Sequence, residues 1–199
     1  MENKLFFIGK KDKYIENIAK DKGYSKIFFI KEINSIDNLE YVESEKYNSC
    51  LINIGDIEKL RRAIDKAENK FEFIFILGLD DQINRIALEN RKVAGLISPE
   101  FNRKFDYTHY RNSGLNHVLV KIAKENKKLI VQDLSFMQGT LDKKIRAQIL
   151  GKILQNYKLA RKYKLNELFI LTFIAWSDKE IKKFADVKEF YEGFLTEIK

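Results

Sequence analysis

Short apolar runs alternate with amphipathic segments along almost the whole of this 199-residue chain. The runs at 4–10, 25–33 and 71–77 (KLFFIGK, SKIFFIKEI and FEFIFIL) are typical of strands buried on both faces of a parallel sheet. The segments between them repeat apolar residues every three or four positions, as amphipathic helices do. Because parallel strands need crossover connections, this order predicts an α/β fold with a mainly parallel sheet.

Seven strands and six helices follow from this pattern. The strands are predicted at 4–10, 25–33, 48–54, 71–77, 94–98, 129–135 and 167–173, and the helices at 12–22, 57–67, 80–88, 115–126, 143–163 and 187–198. A closed barrel and an open doubly wound sheet both fit, but an eighth strand is missing and no Gly-rich phosphate loop follows the first strand. We predict a TIM-barrel-like fold, incomplete or distorted, with outer helices and a single domain over residues 1–199.

Positive charge is concentrated in the second half of the chain. Residues 1–100 hold 17 basic and 18 acidic side chains, whereas residues 101–199 hold 20 basic and 11 acidic ones, giving −1 against +9. Within 101–164 alone, 15 basic residues face four acidic ones. A biased genome composition does not explain such a local excess, which predicts a surface for a polyanion such as RNA.

Two features bear on the compartment. The one cysteine, Cys50, lies in an apolar run, so no disulfide within the chain is expected. The apolar stretch near the N-terminus has about five residues, fewer than the roughly 7–15 of a signal-peptide core or the roughly 18 of a membrane span. We therefore expect a cytoplasmic protein with no membrane partner.

The sequence lacks the common catalytic motifs. His109 and His117 are the two histidines, and neither H-x-H nor H-E-x-x-H spacing occurs, so we expect no metal and no other cofactor. No G-x-S-x-G turn is present either. Asp80 and Asp133 stand at strand ends and could form an acid/base pair, although Asp80 is better explained as a helix cap. We predict no catalytic side chain.

The loop after the fifth strand combines cations with aromatic rings. Arg103, Lys104 and Arg111 alternate with Phe105, Tyr107 and Tyr110, and such a mixture pairs with phosphates and stacks on unpaired bases. A solvated loop with its rings folded onto the core is the competing interpretation. For the helix that follows, we predict a cap at Asn112 or Ser113 and a buried stripe of Leu115, Val118, Leu119 and Ile122.

The helix at 143–163 pairs an apolar stripe with basic outer faces. Its predicted stripe consists of Ile145, Ile149, Ile153, Tyr157 and Ala160. Its predicted outer cations are Lys144, Lys152, Lys158, Arg161, Lys162 and, just beyond the helix, Lys164.

Three stretches together resemble a known family. They are LISPEFNRKFDYTHYRNSGLNHVLVKIAKENKKLIV, KIRAQILGKILQNYKLARKYKL and WSDKEIKKFADVKEFYEGF. The matches in order and spacing are Ile97-Ser98-Pro99, Asn102-Arg103-Lys104, Gly114 to Leu119, Lys121 and Ile122, and the long-helix segment and Trp176 to Asp178 also fit. The combination is similar to the barrel-type protein subunit of archaeal and eukaryotic ribonuclease P, component 3, over about residues 80–195.

This resemblance implies a metal-free relative of PHP-type phosphoesterase barrels. It implies a subunit that binds the catalytic RNA of ribonuclease P, pairs with a second small protein subunit and supports removal of the 5′ leader from precursor tRNA by the RNA. The chain departs from the family in the loop FMQGTLDKKI, where an arginine is usual, and in ending soon after its last helix, which predicts an incomplete barrel. A metal-dependent phosphoesterase on the same fold is the alternative, and a plain assembly scaffold is a third possibility.

We predict RNA contacts from residues in these basic segments. They are Arg103, Lys104, Arg111, Asn116, His117, Lys121, Arg146, Arg161 and Lys164.

Overall fold

The computed structural model describes residues 3–103, 105–106, 109, 111–138 and 141–196, and it contains the seven predicted strands. They are β1 (Lys4–Ile8), β2 (Lys26–Ile33), β3 (Ser49–Ile52), β4 (Phe73–Leu77), β5 (Gly95–Ile97), β6 (Leu129–Asp133) and β7 (Phe169–Thr172). All neighbours pair in parallel, in the order β1-β2-β3-β4-β5-β6-β7. The predicted α/β class and strand count are confirmed.

Six helices connect or follow the strands. They are α1 (Lys13–Asp21), α2 (Ile57–Glu68), α3 (Asp81–Glu89), α4 (His117–Glu125), α5 (Lys143–Lys162) and α6 (Phe184–Thr196). Aspartate side chains cap the first three helices and α5, and Asp80 accepts a hydrogen bond from the Ile83 amide at 2.8 Å. The interpretation of Asp80 as a helix cap is confirmed. No helix in the described part of the chain is long and apolar enough to span a membrane.

The sheet curls into a nearly closed barrel. Ala175, three residues beyond β7, forms an isolated parallel bridge with Phe7 of β1. The amide of Ile8 donates to the Ala175 carbonyl at 2.8 Å, and the Ala175 amide donates to the Phe6 carbonyl at 3.0 Å. This short contact stands where an eighth strand would complete a regular barrel, so the predicted TIM-barrel-like fold of about seven strands is confirmed.

Aromatic side chains fill the interior of the barrel. Phe6 and Phe28 stack with ring centroids 4.8 Å apart, and Phe75 meets Phe28 edge-on at 5.1 Å. Isoleucine, leucine and valine side chains from the other strands complete this cluster. The interior of the barrel is therefore a packed core, as in regular barrels of this class.

Two details of helix packing differ from prediction. Val118 is 42% exposed and Val120 is fully buried, because the face of α4 that packs against the core contains Leu119, Val120 and Ala123. In α5, Ile145 is 45% exposed, since the packed part of the stripe starts farther along the helix, at Ile153. The predictions that Val118 and Ile145 belong to buried stripes were therefore wrong.

Candidate nucleic-acid interface

The loop at 101–113 and helix α5 form one surface because polar side chains of α5 hold the loop. Asn156, fully buried, donates to the Ser113 carbonyl at 2.9 Å, and Gln155 donates to the Arg111 carbonyl at 2.9 Å. Lys152 donates to the Arg103 carbonyl. The two basic segments found in the sequence are thus brought together in space.

Lys152 was predicted on an outer face of α5, and this prediction was wrong. Its side chain is 8% exposed, and its ammonium group lies 3.7 Å from the Asp106 carboxylate. The carbonyl of Arg103 and the carboxylate of Asp106 give the buried cation partners, which explains its inward orientation. Lys152 therefore positions the loop and does not present a free charge to a ligand.

Arg111 lies across Gly151, near the middle of α5. A Cβ atom at Gly151 would lie well under 3.0 Å from the guanidinium of Arg111, so the glycine makes space for that group. The Arg111 guanidinium also donates to the Gln148 carbonyl at 3.5 Å. Arg111 itself remains exposed, and its charge stands on the outer surface of the loop and α5.

Arg103 is less accessible than its sequence context suggested. Its side chain is 7% exposed and pairs through Nη1 with Asp81 at 2.6 Å and with Asn112 at 3.3 Å. The Nε and Nη2 groups are buried and have no hydrogen-bond partner among the residues that the structure describes. Guanidinium N–H groups of this kind donate hydrogen bonds to phosphate oxygens, but the burial of this side chain separates it from the outer surface.

Asn116 caps α4, which corrects the prediction of Asn112 or Ser113. Its side-chain oxygen accepts hydrogen bonds from the amides of Val118 at 2.9 Å and Leu119 at 3.0 Å. The first turn of α4 carries no acidic side chain, and His117 is its first residue, exposed to solvent. The positive end of the helix dipole is therefore left without a neighbouring carboxylate.

A groove lies between the start of α4 and the end of α5. Its volume is about 610 Å³, and its lining includes Asn116, His117, Gln155, Leu159, Lys162 and Tyr163. The ammonium groups of Lys121 and Lys162 lie 5.7 and 5.9 Å from the centre of the Tyr163 ring. We call this feature the α4–α5 groove.

The remaining predicted RNA contacts occupy different parts of the molecule. Arg161 and Lys164 are exposed at the carboxyl end of α5, and Arg161 lies 5.9 Å from the Tyr157 ring. Arg146 is at the opposite end of α5, where its guanidinium donates to the carbonyls of Leu141 at 2.8 Å and Met137 at 3.4 Å. Lys104, together with the loop aromatics Tyr107 and Tyr110, lies outside the described residues.

Sequence reasoning missed Gln155, Leu159 and Tyr163 as members of a site. Their spacing contained a usable signal, because residues at i, i+4 and i+7 or i+8 share one face of a helix. Applied to Gln155, this rule selects Leu159, Lys162 and Tyr163. The rule does not identify α4 as the opposite wall, since that depends on tertiary packing.

The mouth of the barrel holds two buried carboxyl groups. Burial raises the pKa of Glu100 to about 8, and the nearby Asp133 carboxyl adds to this rise. Asp133 has its pKa raised by burial too, and it accepts hydrogen bonds from the amides of Ser135 and Ile174 at 2.9 and 3.1 Å. Asp133 therefore joins the end of β6 to the segment after β7.

Nothing at the described barrel mouth assembles a metal-binding set. Among residues 3–103, 105–106, 109, 111–138 and 141–196, no group of three or more His, Cys, Asp or Glu side chains is placed to hold a metal ion. His117 lies on α4, outside the lumen, and apolar side chains such as Ile8, Leu77 and Ile174 pack in and against the interior cluster.

Proteins of similar sequence come from methanogenic archaea. Ribonuclease P protein component 3 of Methanothermobacter thermautotrophicus is 30% identical over 161 residues, which are 81% of this chain and 62% of that protein. The protein of the same name from Methanosarcina acetivorans is 35% identical over 53% of this chain and 40% of its own length. This chain is a homologue of ribonuclease P protein component 3. The chain spans at most about three fifths of the length of either relative.

A solved structure has the same fold as this chain. A chain in the cryo-EM structure of archaeal ribonuclease P with mature tRNA superposes with a TM-score of 0.72 and 24% identity, over 96% of this chain and 82% of that chain. At this identity the match establishes the barrel fold. No family model matches the sequence.

Proposed function

We propose that this chain is an RNA-binding protein subunit of ribonuclease P that supports RNA-catalysed removal of the 5′ leader from precursor tRNA. The observation that carries this proposal is the similarity to ribonuclease P protein component 3 over 81% of the chain. Its proposed partners are the catalytic RNA, precursor tRNA and a second small protein subunit of the particle. We further propose that residues 1–199 act as one domain.

The surface chemistry supports binding of a polyanion. Helix α5 carries seven basic and no acidic side chains between Lys143 and Lys162, and it packs beside the basic loop at 101–113. The interior of the barrel, in contrast, is filled with phenylalanine and aliphatic side chains. The cations on the outside are therefore the chemically distinctive feature of this barrel.

The predicted contacts divide into two proposed roles. Arg103, Asn116 and Arg146 are engaged in hydrogen bonds that fix the backbone of the loop and of the helix ends. Exposed groups are free to meet phosphates directly, and these are Arg111, His117, Lys121, Arg161 and Lys164. We propose that the first set positions the surface and that the second set contacts RNA, with Lys104 a further candidate in the loop.

Binding to the catalytic RNA across a salt series tests this proposal. Cations that neutralise phosphates release counterions, so affinity should fall by orders of magnitude between roughly 50 and 200 mM salt. Replacing Lys121, Arg161 and Lys164 by glutamine should reduce the slope of log affinity against log salt by up to about three.

A control with equal loss of charge uses Lys20, Lys59 and Arg62, which are exposed on α1 and α2. Replacing these three by glutamine should leave the slope unchanged. A flat salt dependence of the unmodified chain, or equal effects of the two triple variants, would contradict the proposal.

A further inference from the structure

We infer that the α4–α5 groove binds one unpaired nucleotide of the RNA, with the Tyr163 ring as the surface on which the base stacks and Lys121 and Lys162 as contacts for the flanking phosphates. This inference rests on the proposed function and names the form of RNA that the surface recognises.

The backbone of Tyr163 is held at the edge of the groove. Its amide donates to the Leu159 carbonyl at 3.0 Å, and its carbonyl accepts a hydrogen bond from the Lys124 ammonium at 3.1 Å. The side chain is half-buried, and Leu159 provides an apolar wall beside it. A partly sheltered ring on a fixed backbone loses less conformational freedom than a fully exposed one when a base stacks on it.

The cations at the groove have room for a ligand. Lys121 and Lys162 are both exposed, and their ammonium groups lie 5.7 and 5.9 Å from the centre of the Tyr163 ring, beside the phosphates that would flank a base stacked on that ring. His117 lines the opposite end and offers ring nitrogens that can hydrogen-bond to the edge of a base. The volume of about 610 Å³ lies within the roughly 300–1,000 Å³ of small-molecule sites.

Two other described cavities contain aromatic or cationic groups but also carboxylates. The cavity beside β2 includes Lys10, Lys31 and Tyr41, yet its Glu43 lies 3.9 Å from Lys10 and also pairs with Lys46. The cavity at Arg103 includes the carboxylate of Asp80. Among the described residues that line the α4–α5 groove there is no carboxylate, so an anionic ligand meets no like charge from them.

An unpaired nucleotide fits this site better than a duplex. Stacking requires an open face of the base, and in a duplex both faces are covered by neighbouring bases. The groove is also recessed between two helices, whereas a duplex would meet a wide outer surface. The expected preference is therefore for single-stranded RNA, with little dependence on sequence because every base has a flat aromatic face.

Fluorescence anisotropy with a labelled oligouridine of about ten nucleotides tests this inference, since sites for single strands typically span several nucleotides. Tyr163→Leu keeps an apolar side chain but removes the aromatic plane, and it should weaken binding roughly 5- to 100-fold. Tyr163→Phe should bind within about twofold of the unmodified chain, because stacking does not need the hydroxyl.

The matched control is Tyr41→Ala, which removes a tyrosine that is 86% exposed at another cavity and should leave affinity unchanged. An RNA duplex of the same length should bind more weakly than the single strand and respond little to Tyr163→Leu. If Tyr163→Leu fails to fold by circular dichroism, Lys121→Gln combined with Lys162→Gln replaces it, and this exposed pair should reduce the salt slope for the single strand by about two.

Unchanged oligouridine affinity in the folded Tyr163→Leu variant, an unchanged salt slope in the lysine pair, or an equal loss in Tyr41→Ala would overturn the inference. Binding to the catalytic RNA without measurable binding to oligouridine would overturn it too and leave the proposed function intact. Failure of the unmodified chain to bind the catalytic RNA would instead remove the proposed function.

Discussion

Gly114 lies directly against the carbonyl oxygen of Pro99, with no space for a side chain between them. A Cβ atom at Gly114 would lie well under 3.0 Å from this oxygen, and the residue has a φ of 75°, in the left-handed region. The buried Asn84 amide donates to the carbonyls of Pro99 at 3.2 Å and Gly114 at 3.0 Å. The end of β5 and the approach to α4 are thus held together across the loop at 101–113.

Replacing Gly114 by alanine should destabilise the protein by more than about 2 kcal/mol, because both the backbone conformation and the contact with Pro99 exclude a Cβ atom. Urea unfolding followed by circular dichroism measures this change. Gly193→Ala is the control, since a Cβ at that helical position would meet no atom within 4 Å. It should be neutral or stabilising, by at most about 1 kcal/mol. Equal stability of the two variants would contradict the structural role of Gly114.

Gly151→Ala offers a way to move Arg111 without changing the charge of the protein. The added Cβ would displace the flexible Arg111 guanidinium, while alanine favours the helical conformation of α5 by up to about 1 kcal/mol. The variant should therefore fold at least as stably as the original chain. We expect it to lose RNA affinity in the same direction as Arg111→Ala, as measured by binding to the catalytic RNA.

The double variant with Gly151→Ala and Arg111→Ala separates the two effects. If the glycine acts by positioning Arg111, the double variant should bind RNA no more weakly than Arg111→Ala alone. Additive losses would show that Gly151 affects binding by some other route.

The fold was predictable because the strands are short apolar runs and the helices repeat apolar residues every three or four positions. The run FEFIFIL became β4, and the stripe ending at Ala160 became the packed half of α5. An element that is buried on one or both faces needs apolar residues at regular positions. These positions can be read directly from the sequence.

The candidate site was only partly predictable. The basic loop and α5 were identified from charge, but the buried position of Lys152 was not, because it depends on the Arg103 carbonyl and the Asp106 carboxylate meeting it in three dimensions. Likewise, Arg103 looked like a surface cation in sequence, and its contact with Asp81 arises from the packing of the loop on α3. Partners distant in sequence leave no periodic signal.

The buried carboxyl of Glu100 should make stability depend on pH. Its folded-state pKa of about 8 lies above the ordinary value of 4.5, so the native protein holds a proton that the unfolded chain releases. Stability should therefore fall as pH rises from about 4.5 to about 8.

Glu100→Gln should reduce this fall, because glutamine resembles the protonated carboxyl and does not ionise. A smaller fall should persist, since burial also raises the pKa of Asp133. Urea unfolding at pH 5.5 and pH 8 gives the comparison, with the exposed Glu125→Gln as the control. Glu100→Gln should be the more stable protein at pH 8. The same pH dependence in Glu100→Gln and the unmodified chain would argue against a protonated Glu100 in the native state.

Cleavage of precursor tRNA by a reconstituted ribonuclease P particle, with and without this chain, tests the proposed function most directly. We expect faster release of the 5′ leader when the chain is added to the catalytic RNA and the other subunits, and no cleavage by the chain alone. Cleavage by the protein free of RNA would contradict it, and so would a particle whose rate is unchanged when the chain is left out.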